Sequence, residues 1–416
     1  MLPKPTYILL CFATVLLISC NEDFLEKNPP GIYSENYFYN EKGLDALLTG
    51  TYAMVSGSSL YDVTWGASIQ NWTFGSVASD DAYKGAEAAD SPGFINRIER
   101  WEVASGNGYP ADKWKWAFGL GNDRANITLN SISSALEEGT ITEATANSYR
   151  AEAHFLRGLF TFEAWLVFGD YIPIITEKTK NPAQVKNVNP EGAVLNHIIN
   201  DLEFAWNHLP ETQSQPGRAT KYAAMALAAR AYLQELKYTE AKPLLDEIIK
   251  SGNYELMPNF FDNFRIEKNN NAESVFEIQA NVNDIRESLN AEMGIGLNYP
   301  HAGDIGMCCG FHQPSQNLAN AFKVNEKGLP LFDSFNNEDL KNDQGIKSEE
   351  EFIPSDHPLD PRIDWTMGRR GIPYLDWGIM RGYDWIRHQE DGGPYLPAMK
   401  PFFYKYQRYS LSTKQG

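Results

Sequence analysis

Between Thr145 and Phe168 the residues Tyr149, Ala153, Leu156, Phe160 and Trp165 recur every three to five positions, and Gly169 ends the run. That spacing places a bulky apolar stripe on one face of a long helix. The stripe must be covered by other elements, so it sets the terms for everything packed around it. Four further segments carry the same signal. Glu41 to Val55 holds Leu44, Leu47, Leu48 and Tyr52 at helical spacing, and Pro190 to His208 presents Val194, Leu195, Ile198, Ile199, Leu202, Ala205 and Trp206 as one stripe. Lys113 to Leu136 is amphipathic but contains Gly119 and Gly121, which predicts a kink. The stretch from Gly217 to Asn253 reads as two helices joined at Lys237-Tyr238, with Gly252 closing the second. The chain is predicted to be mainly α.

In that last pair, Ala229, Tyr232, Tyr238, Ala241 and Leu245 fall where a tetratricopeptide repeat has its small, aromatic and large residues. Small residues let paired helices approach closely, and large ones fill the groove. The segments 145–168 and 190–208 form a second, looser hairpin with a long connector. Helical repeats are therefore expected mainly over 113–253. After residue 254 the texture changes to Pro, Gly, Asn and aromatic residues, with one predicted strand from Ser274 to Gln279. Long runs without periodicity are usually functional or disordered. Here they are rich in Trp and Tyr, which favours ordered binding loops.

The N-terminus is of another kind. An apolar run from Tyr7 to Ser19 stops at Cys20. It is too short for a spanning helix, which needs ~20 apolar residues, and fits the apolar core of a secretory signal peptide over residues 1–19. Leu17-Ile18-Ser19-Cys20 resembles a bacterial lipobox, in which cleavage precedes an acylated cysteine. Several acyl chains together hold a protein stably at a membrane. The formal net charge is −18, and the signal removes no acidic residue. Such a chain is a poor partner for nucleic acid or anionic headgroups. With Cys11 in the signal and Cys20 acylated, Cys308 and Cys309 are the remaining cysteines, too few for a disulfide framework. They either bond to each other or stay as two thiols. With His301 and His312 they lack the paired spacing of a zinc site, so no metal or cofactor is expected. Asp80-Asp81 and Glu349 to Glu351 offer carboxylates, but adjacent acids on one segment fit turns and solvated charge runs. No Gly-x-Ser-x-Gly elbow is present, and no catalytic residue is expected.

Several segments together resemble the SusD/RagB lipoproteins of Bacteroidetes. They are DFLEKNP (23–29), SDDAYKG (79–85), YRAEAHFLRGLFTFEAWLVFGDYIPI (149–174), GRATKYAAMALAARAYL (217–233), NAESVFEIQ (271–279), PSQNLANAF (314–322) and Asp360-Pro-Arg362, all in family order. Glu22 and Asp23 are similar to the surface-export signal of such lipoproteins. The resemblance implies a single domain over residues 20–416, built of tetratricopeptide-like hairpins and a loop-rich glycan-binding half, mainly 56–112 and 254–416. It also implies an outer-membrane lipoprotein facing the cell exterior, which passes oligosaccharides to a SusC-like TonB-dependent transporter. Family members continue past a strand like that at Lys405-Tyr406 into further helices, so closing helices are expected to be missing here. Sugar binding needs flat aromatic faces and amides for hydroxyls. Trp72, Trp101, Tyr299 and Trp377 are the expected stacking platforms, with Asn71 and Asn298 for hydroxyls. Phe311, Trp365 and Trp385 lie in the same loop zones. The other readings are a protein-interaction scaffold and a glycoside hydrolase, which needs two carboxylates ~5–10 Å apart.

Overall fold

The computed structural model describes residues 35–55, 57, 69, 71–86, 93–279, 298, 310–374, 378–386, 389 and 392–397. Along the chain these form α1 (Glu41–Tyr52), β1 (Ala82–Gly85), α2 (Phe94–Glu99) and α3 (Gly108–Trp114), which runs into a π-helical stretch at Lys115–Asn122. Then come α4 (Asp123–Glu137), α5 (Glu143–Phe168), α6 (Ala193–His208), α7 (Lys221–Gln234) and α8 (Tyr238–Ser251). The last part holds β2 (Phe311–Pro314), α9 (Gln316–Ala321), α10 (Ile363–Thr366), β3 (Met367–Gly368) and β4 (Leu396–Pro397). The fold is mainly α, as the periodicity predicts.

Helix α5 is the axis. Thr142 caps its start by accepting from the Thr145 N–H at 3.2 Å, and Gly169 ends it with a φ of 60° that a side chain would disfavour. Its middle is buried on all sides because α4, α6 and the π segment pack around it, while α7 covers α6 and α8 covers α7. Leu156, Phe160, Ile198, Leu202, Leu227 and Ala228 belong to this one core. The predicted break between Lys113 and Leu136 is present as the π stretch. Gly121 serves packing there: a Cβ on it would meet the Phe160 ring at 2.3 Å.

Two expectations need correction. Ser274 to Gln279 is no strand and joins no ladder among the described residues. Phe276 and Ile278 pack on the helical core, while the alternate polar side chains bond locally. Glu277 accepts from the Asn270 N–H and the Ser274 hydroxyl, both at 2.8 Å. The α7–α8 hairpin exists with Ala229 and Ala241 buried, but Tyr238 is 62% exposed and Leu245 37%. Those two large side chains fill no groove, because among the described residues no further helix packs on the outer face of α8. Among the described residues no helix is long and apolar enough to cross a membrane.

The loop-rich part is held by two antiparallel pairs, β1 with β2 and β3 with β4. In the first, Ala82 faces Pro314, Tyr83 faces Gln313 and Gly85 faces Phe311. Segments more than 200 residues apart in sequence thereby meet. Residues Cys20, Tyr299, His301, Cys308, Cys309, Trp377 and the Lys405-Tyr406 strand lie outside the described residues.

Candidate functional site

The two loop zones singled out from sequence converge on the β1–β2 pair. The link is extended by the Ser315 hydroxyl, which donates to the Asp80 carbonyl at 2.5 Å, and by the Asn317 amide, which donates to the Asp80 carboxylate. Thus SDDAYKG and PSQNLANAF, separate in sequence, form one unit. Burial, with the neighbouring Asp80 charge, raises the Asp81 carboxyl above its ordinary value. Among the described residues no cluster of His, Cys, Asp and Glu could hold a metal ion.

Beneath the pair is a small core of Trp72, Val77, Ile95, Ile98, Tyr109 and Phe311. Trp72 is only 5% exposed and meets Phe311 edge-on at 6.5 Å, so its ring is packed inside and differs from the solvent-facing platform expected. Asn71 is likewise engaged. Its amide donates to Glu163 at 2.7 Å and its carbonyl accepts from Lys113 at 2.7 Å, while Lys113 and Glu163 pair at 3.1 Å. This buried triad ties the 71–81 turn to α3 and α5. An ion pair removed from water needs such additional hydrogen bonds to offset desolvation. Nothing in the sequence signals it, since its members are dozens of positions apart.

Trp101 follows helix α2 out of this core. Helix α2 buries Ile95 and Ile98, and the chain then turns so that Trp101 is 80% exposed. Its backbone is left-handed, with φ 58°, a conformation that costs a bulky residue roughly 1–2 kcal/mol. The turn is pinned by the Trp101 N–H to Ile98 at 3.1 Å and the Glu102 N–H to Arg97 at 2.7 Å. Further on, the Asn107 side chain donates to the Phe94 carbonyl and caps α3 through the Tyr109 N–H. A tryptophan in strained backbone, with its indole in water, is an arrangement that packing alone does not explain.

On the other side, His312 also has a left-handed φ of 57° and lies 5.3 Å from the Trp72 ring. Burial pushes its imidazole down to about 4, so it is neutral near pH 7. Its Nδ1 is 3.4 Å from the amide nitrogen of Asn298. Asn298 is 2% exposed, and its Oδ1 has no hydrogen-bond partner among the described residues. A buried amide oxygen left in this way is expensive unless something else completes it. Trp385 is buried against Tyr374 and so is internal, while Trp365 is half-buried and stacked on Phe261 at 4.1 Å. The His312–Asn298 pair and the backbone of Trp101 escape sequence reading, because the pair is fourteen positions apart and a tryptophan does not signal positive φ.

A family model described as starch-binding associating with outer membrane matches residues 23–233, and the SusD family model matches residues 272–401. The chain belongs to the SusD family. A SusD-like protein of Bacteroides ovatus is 25% identical over 287 residues, 66% of this chain and 50% of that protein. SusD-like protein P2 of Formosa agariphila is 27% identical over 241 residues, 57% of this chain and 44% of its own. The chain thus spans about half the length of the curated relatives it matches. Among solved structures, a SusD-like protein of Bacteroides fragilis aligns with a TM-score of 0.67 at 20% identity, covering 91% of this chain and 72% of that one. Surface glycan-binding protein A of Bacteroides thetaiotaomicron, solved in complex with laminarihexaose, aligns with a TM-score of 0.54 at 20% identity, covering 69% and 64%. These likenesses establish the shared fold.

Proposed function

We propose that this protein is a surface lipoprotein that captures neutral oligosaccharides and hands them to a SusC-like TonB-dependent transporter, without cleaving them. The observation that carries the reading is Trp101, an exposed indole that the turn after α2 holds in a strained backbone conformation. It offers a flat face to the C–H side of a sugar ring. In this reading Asn298 accepts a hydroxyl from a ligand group that reaches its buried side-chain oxygen, with Tyr299 and Trp377 as further faces. Asn71 and Trp72 act here by fixing the same loop zone from within, through Lys113, Glu163 and Phe311. The acidic net charge and the family's known members, one of them bound to laminarihexaose, support the same ligand class. Anchoring follows from acylation at Cys20 at the outer membrane. Asp80 is engaged by Asn317 and Glu349 to Glu351 lie exposed, so neither group favours hydrolysis.

Aromatic contacts contribute ~0.5–1.5 kcal/mol beyond area burial. Affinity is therefore expected between about micromolar and millimolar, or roughly 4–8 kcal/mol, which suits a receptor that must release its ligand. Calorimetry against a panel of neutral oligosaccharides tests this, with product analysis alongside. Trp101→Ala should weaken binding at least tenfold while circular dichroism stays unchanged. Wild-type binding by that variant, or sugar cleavage by the parent, would overturn the reading. Separately, Cys20→Ala should move the protein from the membrane fraction to the soluble one; retention at the membrane would refute the anchor.

A further inference from the structure

A cleft of about 400 Å³ lies on the helical side, between the α6–α7 connector and residues 270–277. Its volume falls within the ~300–1,000 Å³ of small-molecule sites, and none of its lining residues belongs to the site around Trp101. Both walls are fixed. In the connector, Gly217 has φ 83°, and a Cβ there would meet the Gln279 side chain at 2.6 Å. In the opposite wall Asn270, with φ 55°, exchanges two amide hydrogen bonds with Gln279 at 3.1 and 2.9 Å. The base is aromatic: Phe276 rests edge-on against Phe155 at 5.0 Å and Tyr254 against Tyr222 at 5.8 Å.

The chemistry of the lining selects a ligand class. Its one cation, Arg218, is already committed to Asp45 at 2.6 Å, to Glu152 at 3.3 Å and to Gln215 at 2.8 Å. Two carboxylates, Glu211 and Glu277, line the same space, so an anion is repelled. Glu277 uses Oε2 for the wall, and no hydrogen bond to its Oε1 is made among the described residues. Gln213 spends its N–H on the Ala219 carbonyl, which leaves its own amide oxygen as an acceptor. Asn253 adds an exposed amide. Acceptors for hydroxyls beside a tyrosine ring, with no free cation among the lining residues, fit an uncharged polyol ring.

We propose that this cleft is a second saccharide site, binding one end unit or short stretch of a neutral glycan. The proposal rests on the reading of the protein as a glycan binder. Two weak sites on one chain would favour polymers over short oligomers, since the second contact becomes intramolecular.

The test uses laminarihexaose, maltohexaose and cellohexaose as probes, with calorimetry and amide hydrogen exchange on the full chain. In Trp101→Ala, at least one probe should still bind and slow exchange over 211–220 and 270–277. Adding Ala272→Trp, which fills the cleft, should cut that residual binding at least tenfold. Asn253→Ala should weaken it several-fold, and it serves as the deciding variant should Ala272→Trp fail to fold. If the parent binds a probe but Trp101→Ala shows neither binding nor protection over 270–277, the second site is refuted and the main reading stands. Protection confined to the cleft in the parent would uphold the second site and refute Trp101. If no probe binds the parent at millimolar concentration, both fall.

Discussion

The helical half and the loop-rich half of this molecule handle buried polarity in opposite ways. Within the α4–α7 stack, Asp201 accepts two hydrogen bonds from Arg157 at 2.8 and 2.6 Å and contacts His154 at 2.7 Å. Arg157 also reaches Glu177 at 2.5 Å and Asn126 at 2.9 Å. These buried charges are paired and hydrogen-bonded to one another. In the loop-rich half, the buried Thr73 hydroxyl and the Oδ1 atoms of Asn96 and Asn298 have no hydrogen bond among the described residues, and Asp343 Oδ2 meets Arg370 only as an ion pair at 3.7 Å. Of the five left-handed non-glycine residues among those described, Ala86, Trp101, Asn270 and His312 lie there as well, and Leu236 sits in the α7–α8 turn. Unmet polar groups and strained backbone tend to gather at sites of function, and a rigid, fully satisfied scaffold can support them. The helices thus hold the paired buried charges, and the loops hold most of the unmet polar atoms and strained backbone.

The sharpest way to break this contrast is to leave the helical half unsatisfied. Asp201→Ala strands Arg157 beside a lost bidentate partner, so stability should fall by about 3 kcal/mol in urea unfolding, at the lower end for a broken buried pair because Glu177 remains. Acid titration sharpens the point. Burial pushes the Asp201 carboxyl up, but the bonds from Arg157 and His154 outweigh it and hold the group at about 2, below its ordinary 3.8. A depressed carboxylate stabilises the fold above its unfolded value. That contribution should therefore be intact above pH 3.8 and vanish as pH falls towards about 2, and Asp201→Ala should lack this acid step. A variant as stable as the parent would show that the cluster is not what holds α5 to α6.

The loop half should respond with the opposite sign. Trp101→Gly removes the steric cost of a left-handed backbone at an exposed position, offset in part by glycine's freedom in the unfolded chain. A gain of about 0.5–1 kcal/mol in chemical denaturation is expected, together with loss of oligosaccharide binding. A protein stabilised by losing its platform would mark Trp101 as kept for function. A destabilised one would make it part of the packing.

Much of this division was legible in the residues. The run Tyr149, Ala153, Leu156, Phe160 and Trp165 marked α5 because a stripe at helical spacing has one use, and Gly169 fixed its end, while the start expected at Thr145 lies two residues inside the helix that Thr142 caps. The segment at Ser274 misled, since alternation cannot reveal whether a neighbouring strand exists. Trp72 and Trp101 illustrate the limit at the site. Both are tryptophans in one loop zone, and only tertiary placement buries one and exposes the other. The Asn71–Lys113–Glu163 triad was invisible for the same reason, as each member reads locally as a surface residue.

The smallest expected effect concerns α8, where the repeat pattern and the structure part. If Tyr238 and Leu245 filled an interhelical groove, truncation would create a cavity and cost about 2–5 kcal/mol. With Tyr238 62% exposed, Tyr238→Ala should stay within about 0.5 kcal/mol of the parent, and Leu245→Ala, its side chain partly covered, should cost below about 1 kcal/mol. Ala241 provides the internal control, since it is buried where α8 meets α7. Ala241→Leu should cost about 1–3 kcal/mol by overpacking. Urea unfolding of the three variants measures all of this in one series. A large loss at Tyr238 would mean that its ring is covered in solution by a surface outside the described residues. The outer face of α8 would then belong to the scaffold, and the boundary between the two halves would have to be redrawn.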